Sequence, residues 1–261
     1  MSALGAPMVT ILAALLLVMV GLWLLSLLRR DASLVDIYWG LGFAQIALLG
    51  CWLADGWSGR KVLLTLLTVA WGVRLGVYLL WRNWGQGEDF RYRAMRRTHG
   101  SRFAWVSLYL VFGLQAALMW FVSLPVQLAQ RQPAPAHFTA LDAAGVLLWA
   151  IGLACESIGD WQLARFKADP AHRDTVLDRG LWRYTRHPNY FGDACVWWGL
   201  YLIAAAAGVW WTILSPLLMT LLLLKVSGVP MLERTIVKRR PDYAAYIART
   251  RAFVPWVPKP R

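Results

Sequence analysis

Apolar residues come in long unbroken runs in this chain, not in the one-sided stripes of a soluble helix. Met8 to Leu28 carries no charge, and neither does Phe103 to Ala129. Ala194 to Leu224 is also uncharged. It is too long for one crossing of a bilayer, which takes about 20 helical residues, so it reads as a helical hairpin turning near Gly208. A backbone in hydrocarbon must satisfy its own hydrogen bonds, and such runs therefore take the helical form. Seven segments follow from the pattern, near 8–28, 33–54, 62–82, 103–129, 141–164, 189–207 and 210–229. The expected fold class is all-α, a polytopic membrane protein of seven transmembrane helices without internal repeats.

The connections set its orientation. Of the 27 lysines and arginines, 22 fall in one alternate set of connections: Arg29–Arg30, Arg82 to Arg102, Arg165 to Arg186, and the tail from Arg234. The opposite side holds Arg60, Lys61 and Arg131, while Arg74 and Lys225 lie inside spans. Cytosolic loops carry the excess of basic residues, so the N-terminus is expected outside and the C-terminus in the cytosol. The formal net charge of +13 is then a topology signal, and no nucleic-acid partner is expected. Composition agrees, with 59% hydrophobic and 16% charged residues, against about a quarter charged in soluble domains. Most of the 17 tryptophans suit the interfacial belt. Cys51, Cys155 and Cys195 show no CxxC spacing, and with four histidines neither a disulfide framework nor a metal site is expected. The first run follows an uncharged N-terminus and is too long for a signal-peptide core, so it is expected to stay as the first membrane helix. After Gly228, Tyr243, Tyr246, Phe253 and Trp256 alternate with basic residues, which fits a cap on the membrane surface. A solvated tail is the plainer alternative.

An ionisable side chain within a span costs about 2.5–3.5 kcal/mol or more at the centre and marks a candidate site. Asp36 begins the second span, and Arg74 lies inside the third. Glu156 and Asp160 sit four apart in the fifth, as do Asn189 and Asp193 at the start of the sixth, so each pair shares a helix face. Lys225 lies near the end of the seventh. Ion pairs that lock helices together are the alternative for Arg74 and the Glu156/Asp160 pair, and snorkelling is the alternative for Lys225 and Arg82. The acids and Asn189 share a depth toward the cytosolic ends of their helices, which favours one polar cavity open to the cytosol.

The most specific stretch runs from Gly180 to Asp193, Gly-Leu-Trp-Arg-Tyr-Thr-Arg-His-Pro-Asn-Tyr-Phe-Gly-Asp. Pro188 suits the first turn of a helix, where its missing N–H is not needed. Arg183, Arg186 and His187 gather just before that helix N-terminus, an anion-seeking place. Asn189, Asp193 and Trp197 continue along one face and offer an amide, a carboxylate and a ring. The segment resembles the signature of the steroid 5α-reductases, shared with sterol C14 reductases. The resemblance implies that Asn189 and Asp193 hold NADPH and that Tyr184 and Trp197 line its site. Glu156, Asp160 and Lys167 are similar to that family's Asn-x-x-x-Asp and following basic residue, with Glu156 departing from the Asn. Arg74 and Tyr78 match an Arg-x-x-x-Tyr, and Arg82 falls near a further cofactor-binding arginine. Arg186, His187, Lys225 and Tyr243 complete the expected cofactor set. No glycine-rich dinucleotide fingerprint is present.

The resemblance implies hydride transfer to the β-carbon of an enone, with the carbonyl polarised as negative charge develops on its oxygen. It gives that role to an acid on the second span, here Asp36, paired with a tyrosine on the third. Asp36 is expected to stay protonated in an apolar site and to donate. Trp71 occupies the tyrosine's position, and Tyr38 is the substitute. One membrane-embedded domain is expected, with helices one to four (1–130) on the substrate side and 131–261 on the cofactor side. A lipophilic substrate is expected to enter from the bilayer, in a monomer of a bacterial inner membrane whose active site faces the cytosol. Membrane isoprenylcysteine and phospholipid methyltransferases, which use S-adenosylmethionine, carry a similar Arg-His-Pro-x-Tyr-x-Gly element and a similar tail with Glu233 and Tyr243. A non-enzymatic transporter or lipid-binding protein is the third reading.

Overall fold

A computed structural model describes residues 5–226, 228–229, 233, 236–237, 240 and 242–259. Among the described residues every regular element is helical and no strand occurs. The chain groups into two compact units, one of residues 1–139 with 203–212 and one of 140–202 with 213–261.

In the first unit the leading apolar runs form α1 (Gly5–Arg29), α2 (Leu34–Leu53) and α3 (Ser58–Asn83). Arg30, at φ 53°, turns the chain between α1 and α2. Helices α2 and α3 pack backbone to backbone at Gly40 and Gly72. A Cβ on Gly40 would lie 2.4 Å from the Gly72 carbonyl oxygen, so only small residues permit this approach. A basic helix, α4 (Phe90–His99), follows. It leads through a 3-10 turn into α5 (Phe103–Ser107), a π-turn over Leu108–Gly113, and α6 (Leu114–Val122). After Ser123 the chain restarts as α7 (Leu124–Ala129), with a proline in its first turn. Gln130 is wholly buried, and its Nε2 donates to the Ala47 carbonyl at 2.9 Å and to Thr65 Oγ1 at 2.8 Å. The end of α7 is thereby tied to α2 and α3. Arg60 is also buried, donating to the carbonyls of Pro135 and His137, both at 3.0 Å. It fastens the loop after α7 to the start of α3.

The second unit opens with α8 (Ala140–Ala168) and continues through a loop into α9 (Pro188–Ala206), whose last turn groups with the first unit. Glycines set the α8–α9 contact. A Cβ on Gly192 would lie 2.5 Å from both the Gly152 oxygen and the Glu156 nitrogen, and one on Gly199 would lie 2.6 Å from the Gly145 oxygen. Gly145, Gly152 and Gly159 recur every seven residues, close to two helical turns, so they line one face of α8. Gly208, at φ +83°, turns the chain after α9, as the hairpin reading expects. The apolar stretch Trp210–Val226 then contains α10 (Leu214–Leu221) and a π-turn over Leu222–Val226. A short helix, α11 (Tyr243–Arg249), lies in the tail.

Among the described residues, five helices are long and apolar enough to cross a membrane: Gly5–Arg29, Leu34–Leu53, Ser58–Asn83, Phe90–Val122 and Ala140–Ala168. They fit an integral membrane protein, and apolar side chains such as Leu17 and Leu28 point outward, as lipid-facing residues do. The hydropathy pattern expects seven. The difference lies in α9, whose first turns carry Asn189 and Asp193, and in Trp210–Val226, which is shorter and broken by a 3-10 turn.

Candidate functional site

Polar side chains gather in both units. In the first, Asp36 sits in the opening turn of α2. Its Oδ2 accepts from Arg91 Nη2 at 2.6 Å, and its Oδ1 accepts from the Tyr92 hydroxyl at 2.6 Å. Gln115 Nε2 donates to the Tyr92 oxygen at 3.4 Å. Both partners come from α4, which Asp89 caps by accepting from the Arg91 amide at 2.9 Å. The Asp89 amide donates to Ser33 Oγ at 2.7 Å, and the Ala32 amide donates to Glu88 at 3.0 Å, so the α4 entry is strapped to the α2 entry. Arg96 holds the other side of Glu88, with bonds of 2.7 and 3.0 Å. Burial pushes the Asp89 carboxyl up, but the hydrogen bonds from the Arg91 side chain and amide outweigh it and hold it below its ordinary value. Both oxygens of Asp36 are thus engaged, one by a guanidinium and the other by a phenol.

Tyr38 and Trp71, the residues expected beside Asp36, make contacts of their own. Two residues along a helix is about 200° of turn, and the Tyr38 hydroxyl donates to Gln45 instead. Trp71 is wholly buried and packs edge-on against Phe43 at 5.6 Å. On α3, Arg74, Tyr78 and Arg82 do come together: the two guanidinium groups lie 5.3 and 5.7 Å from the Tyr78 ring.

In the second unit α9 begins at Pro188, as the motif predicts. Asn189 Nδ2 donates to Asp160 Oδ1 at 3.2 Å, so the two motif segments meet across α8 and α9. Glu156 and Asp160 are only 3% and 4% exposed, on the α8 face that Gly192 brings against the α9 backbone. Trp197 is wholly buried two turns beyond Asn189, and Asp193 is partly exposed between them. Tyr184, Lys167 and Lys225 are exposed. Lys167 borders an open cavity of about 340 Å³ that Phe166, His172, Arg173 and Arg240 also line.

Arg186 and His187 are engaged by the chain itself. Arg186 forks onto Glu233, Nε to Oε1 at 2.7 Å and Nη2 to Oε2 at 3.1 Å, and its Nη1 donates to the carbonyls of Thr250 and Ile247. His187 Nε2 lies 2.9 Å from Glu233 Oε1. Burial pushes the Glu233 carboxyl up. The hydrogen bonds from His187 and Arg186 and the Arg186 charge outweigh it and hold the group at about 2. Tyr243 joins the cluster, its hydroxyl bonded with Arg186 and Glu233; burial and then the Glu233 charge push its phenol up. Arg186 therefore secures the tail against the motif loop, and its charge is already matched.

Arg91, Tyr92 and the Glu233 clamp on Arg186 and His187 are the parts that reading along the chain does not bring out. Asp89 before Phe-Arg-Tyr-Arg is a helix-start signal, but nothing local pairs Tyr92 with an acid 56 positions away.

Comparison with known proteins adds the family. The model of the family described as protein of unknown function, DUF1295, matches residues 22–250. The chain belongs to that family. The DUF1295 match runs from within α1 to the end of the tail helix and takes in both clusters. The uncharacterized protein C594.04c of Schizosaccharomyces pombe is 23% identical over 265 residues, covering 90% of this chain and 75% of that protein. No solved structure matches.

Proposed function

We propose that this DUF1295 protein is an NADPH-dependent reductase of an enone C=C bond in a lipophilic substrate. In this reading it crosses the bilayer seven times, with the N-terminus outside and the tail and active site in the cytosol. The observation that carries the reading is the Asp36–Tyr92 hydrogen bond, 2.6 Å long and joined to Arg91. A phenol oriented by a carboxylate suits protonation of a carbonyl oxygen, and methyl transfer has no need of it.

The second cluster fits the cofactor. Asn189 and Asp160, with Glu156 one turn along, offer an amide and acceptors for a carboxamide and ribose hydroxyls. Since Glu233 already occupies Arg186, the phosphates fall to exposed cations such as Arg183. NADPH supplies the hydride when bound. The chain's own part begins at Tyr92, whose hydroxyl turns from Asp36 to the substrate oxygen and gives up its proton as negative charge gathers there; the enol so formed takes a proton from water at its α-carbon and returns its hydroxyl proton to Tyr92. Asp36 and Arg91 fix the phenol's direction, and Arg91 offsets the charge left on it.

Enone-dependent oxidation of NADPH by the purified protein tests this. Tyr92→Phe is expected to lower kcat by about 10²–10⁴-fold, and Asp36→Ala to abolish turnover, with cofactor affinity unchanged. Turnover that survives both substitutions overturns the assignment. One observation favours a second reading. Arg186 and His187 meet Glu233 in the element that resembles the S-adenosylmethionine-dependent membrane methyltransferases, so that cofactor belongs in the binding comparison.

A further inference from the structure

The tail beyond α11 does not hang free. The Arg186 amide donates to the Arg251 carbonyl at 2.9 Å, Thr185 Oγ1 donates to the Phe253 carbonyl at 2.7 Å, and the Trp256 amide donates to the Tyr184 carbonyl at 2.9 Å. The motif loop is fixed in turn to the last turns of α8: Trp182 Nε1 donates to the Gly159 carbonyl and the Leu181 amide to Gln162 Oε1, both at 3.0 Å. Residues 251–256 are thereby tied, through the motif loop, to the last three turns of α8, a candidate span. Those turns carry the marks of a bilayer interface. Trp161 is exposed, and the Arg165 guanidinium sits 5.6 Å from its ring centre. The tail repeats the arrangement, with the Arg251 guanidinium 4.8 Å from the Trp256 ring centre.

Held there, the tail turns apolar side chains outward. Val254 is 53% exposed, Trp256 59% and Val257 74%, with Arg251 and Lys259 exposed on either side of them. An outward tryptophan and valines between cations match the headgroup region of a bilayer, where the ring and aliphatic groups sit below the phosphates that the cations meet. We propose that residues 251–259 form an interfacial anchor that inserts Val254, Trp256 and Val257 into the leaflet where α8 ends, with Arg251 and Lys259 on anionic lipid phosphates. The occupant is that lipid surface. Its consequence is positional: the anchor holds the segment that receives the Arg186 amide, and so the loop that leads to Asn189. The proposal does not rest on the reductase reading.

The test uses the full chain, with its three native cysteines replaced by alanine, in nanodiscs of phosphatidylcholine alone or mixed with phosphatidylglycerol. An environment-sensitive fluorophore is attached at Val257→Cys and, separately, at Trp256→Cys. A label at Asp174→Cys, on the exposed loop after α8, gives the water reference. The expected result is blue-shifted emission at both tail sites, quenching by lipids brominated near the headgroup, and a larger effect with phosphatidylglycerol that Arg251→Ala with Lys259→Ala diminishes. Emission at both tail sites equal to the Asp174 reference in both nanodiscs overturns the anchor. Quenching at the tail with no dependence on phosphatidylglycerol overturns the role of the two cations.

Discussion

Tyr92 and Glu233 carry most of the chemical argument, and each owes its role to a partner distant in sequence. Glu233 makes a prediction that needs no substrate. Its folded value is held at about 2 against an ordinary 4.5. A carboxylate depressed in this way stabilises the fold fully above its unfolded value, and that contribution is lost as pH falls toward the folded value. The thermal midpoint of wild type should therefore exceed that of Glu233→Gln near neutral pH, and the gap should close between about pH 4.5 and 2. A gap that stays constant across that window would show that Glu233 contributes by packing alone. At this scale the sequence is legible where residues are local. Asp36, Asp160 and Asn189 announce themselves as polar groups in apolar runs, and Asp160 and Asn189 do meet. Tyr92 does not announce itself, because it lies in a basic stretch that reads as a connection and meets Asp36 only once α4 folds back on the start of α2.

Helix positions follow the apolar runs closely, because length and uncharged composition are what a membrane helix requires. The start of α9 at Pro188 and the turn at Gly208 are both legible from single residues whose backbone preferences fix them. The break at Ser123 and the π-turns at Leu108–Gly113 and Leu222–Val226 are not, since they leave the run of apolar residues unchanged. The α8–α9 contact makes the prediction proper to this scale. A methyl at Gly192 meets backbone at 2.5 Å, which no side-chain rotation relieves. Gly192→Ala is expected to cost about 1–3 kcal/mol, as overpacking does, seen as a lower thermal midpoint. It should also part Asn189 from Asp160 and weaken cofactor binding. An unchanged midpoint would mean that the helices separate at little cost.

For the whole molecule, five helices of spanning length among the described residues and the basic connections point to an integral membrane protein. The two remaining spans and the orientation belong to the proposed reading. A green fluorescent protein fused to the C-terminus should fluoresce in cells, as it does when the tail is cytosolic, while an alkaline phosphatase fusion there should be inactive. The opposite pair of results would invert the topology. The central claim is the cofactor, and its most direct measurement is NADPH binding to the detergent-purified protein, with NADH and S-adenosylmethionine as competitors, for wild type and Asn189→Ala. The reductase reading predicts that NADPH binds, that neither competitor displaces it at equal concentration, and that Asn189→Ala loses it. Binding of S-adenosylmethionine instead, or NADPH affinity that is indifferent to Asn189, would contradict it.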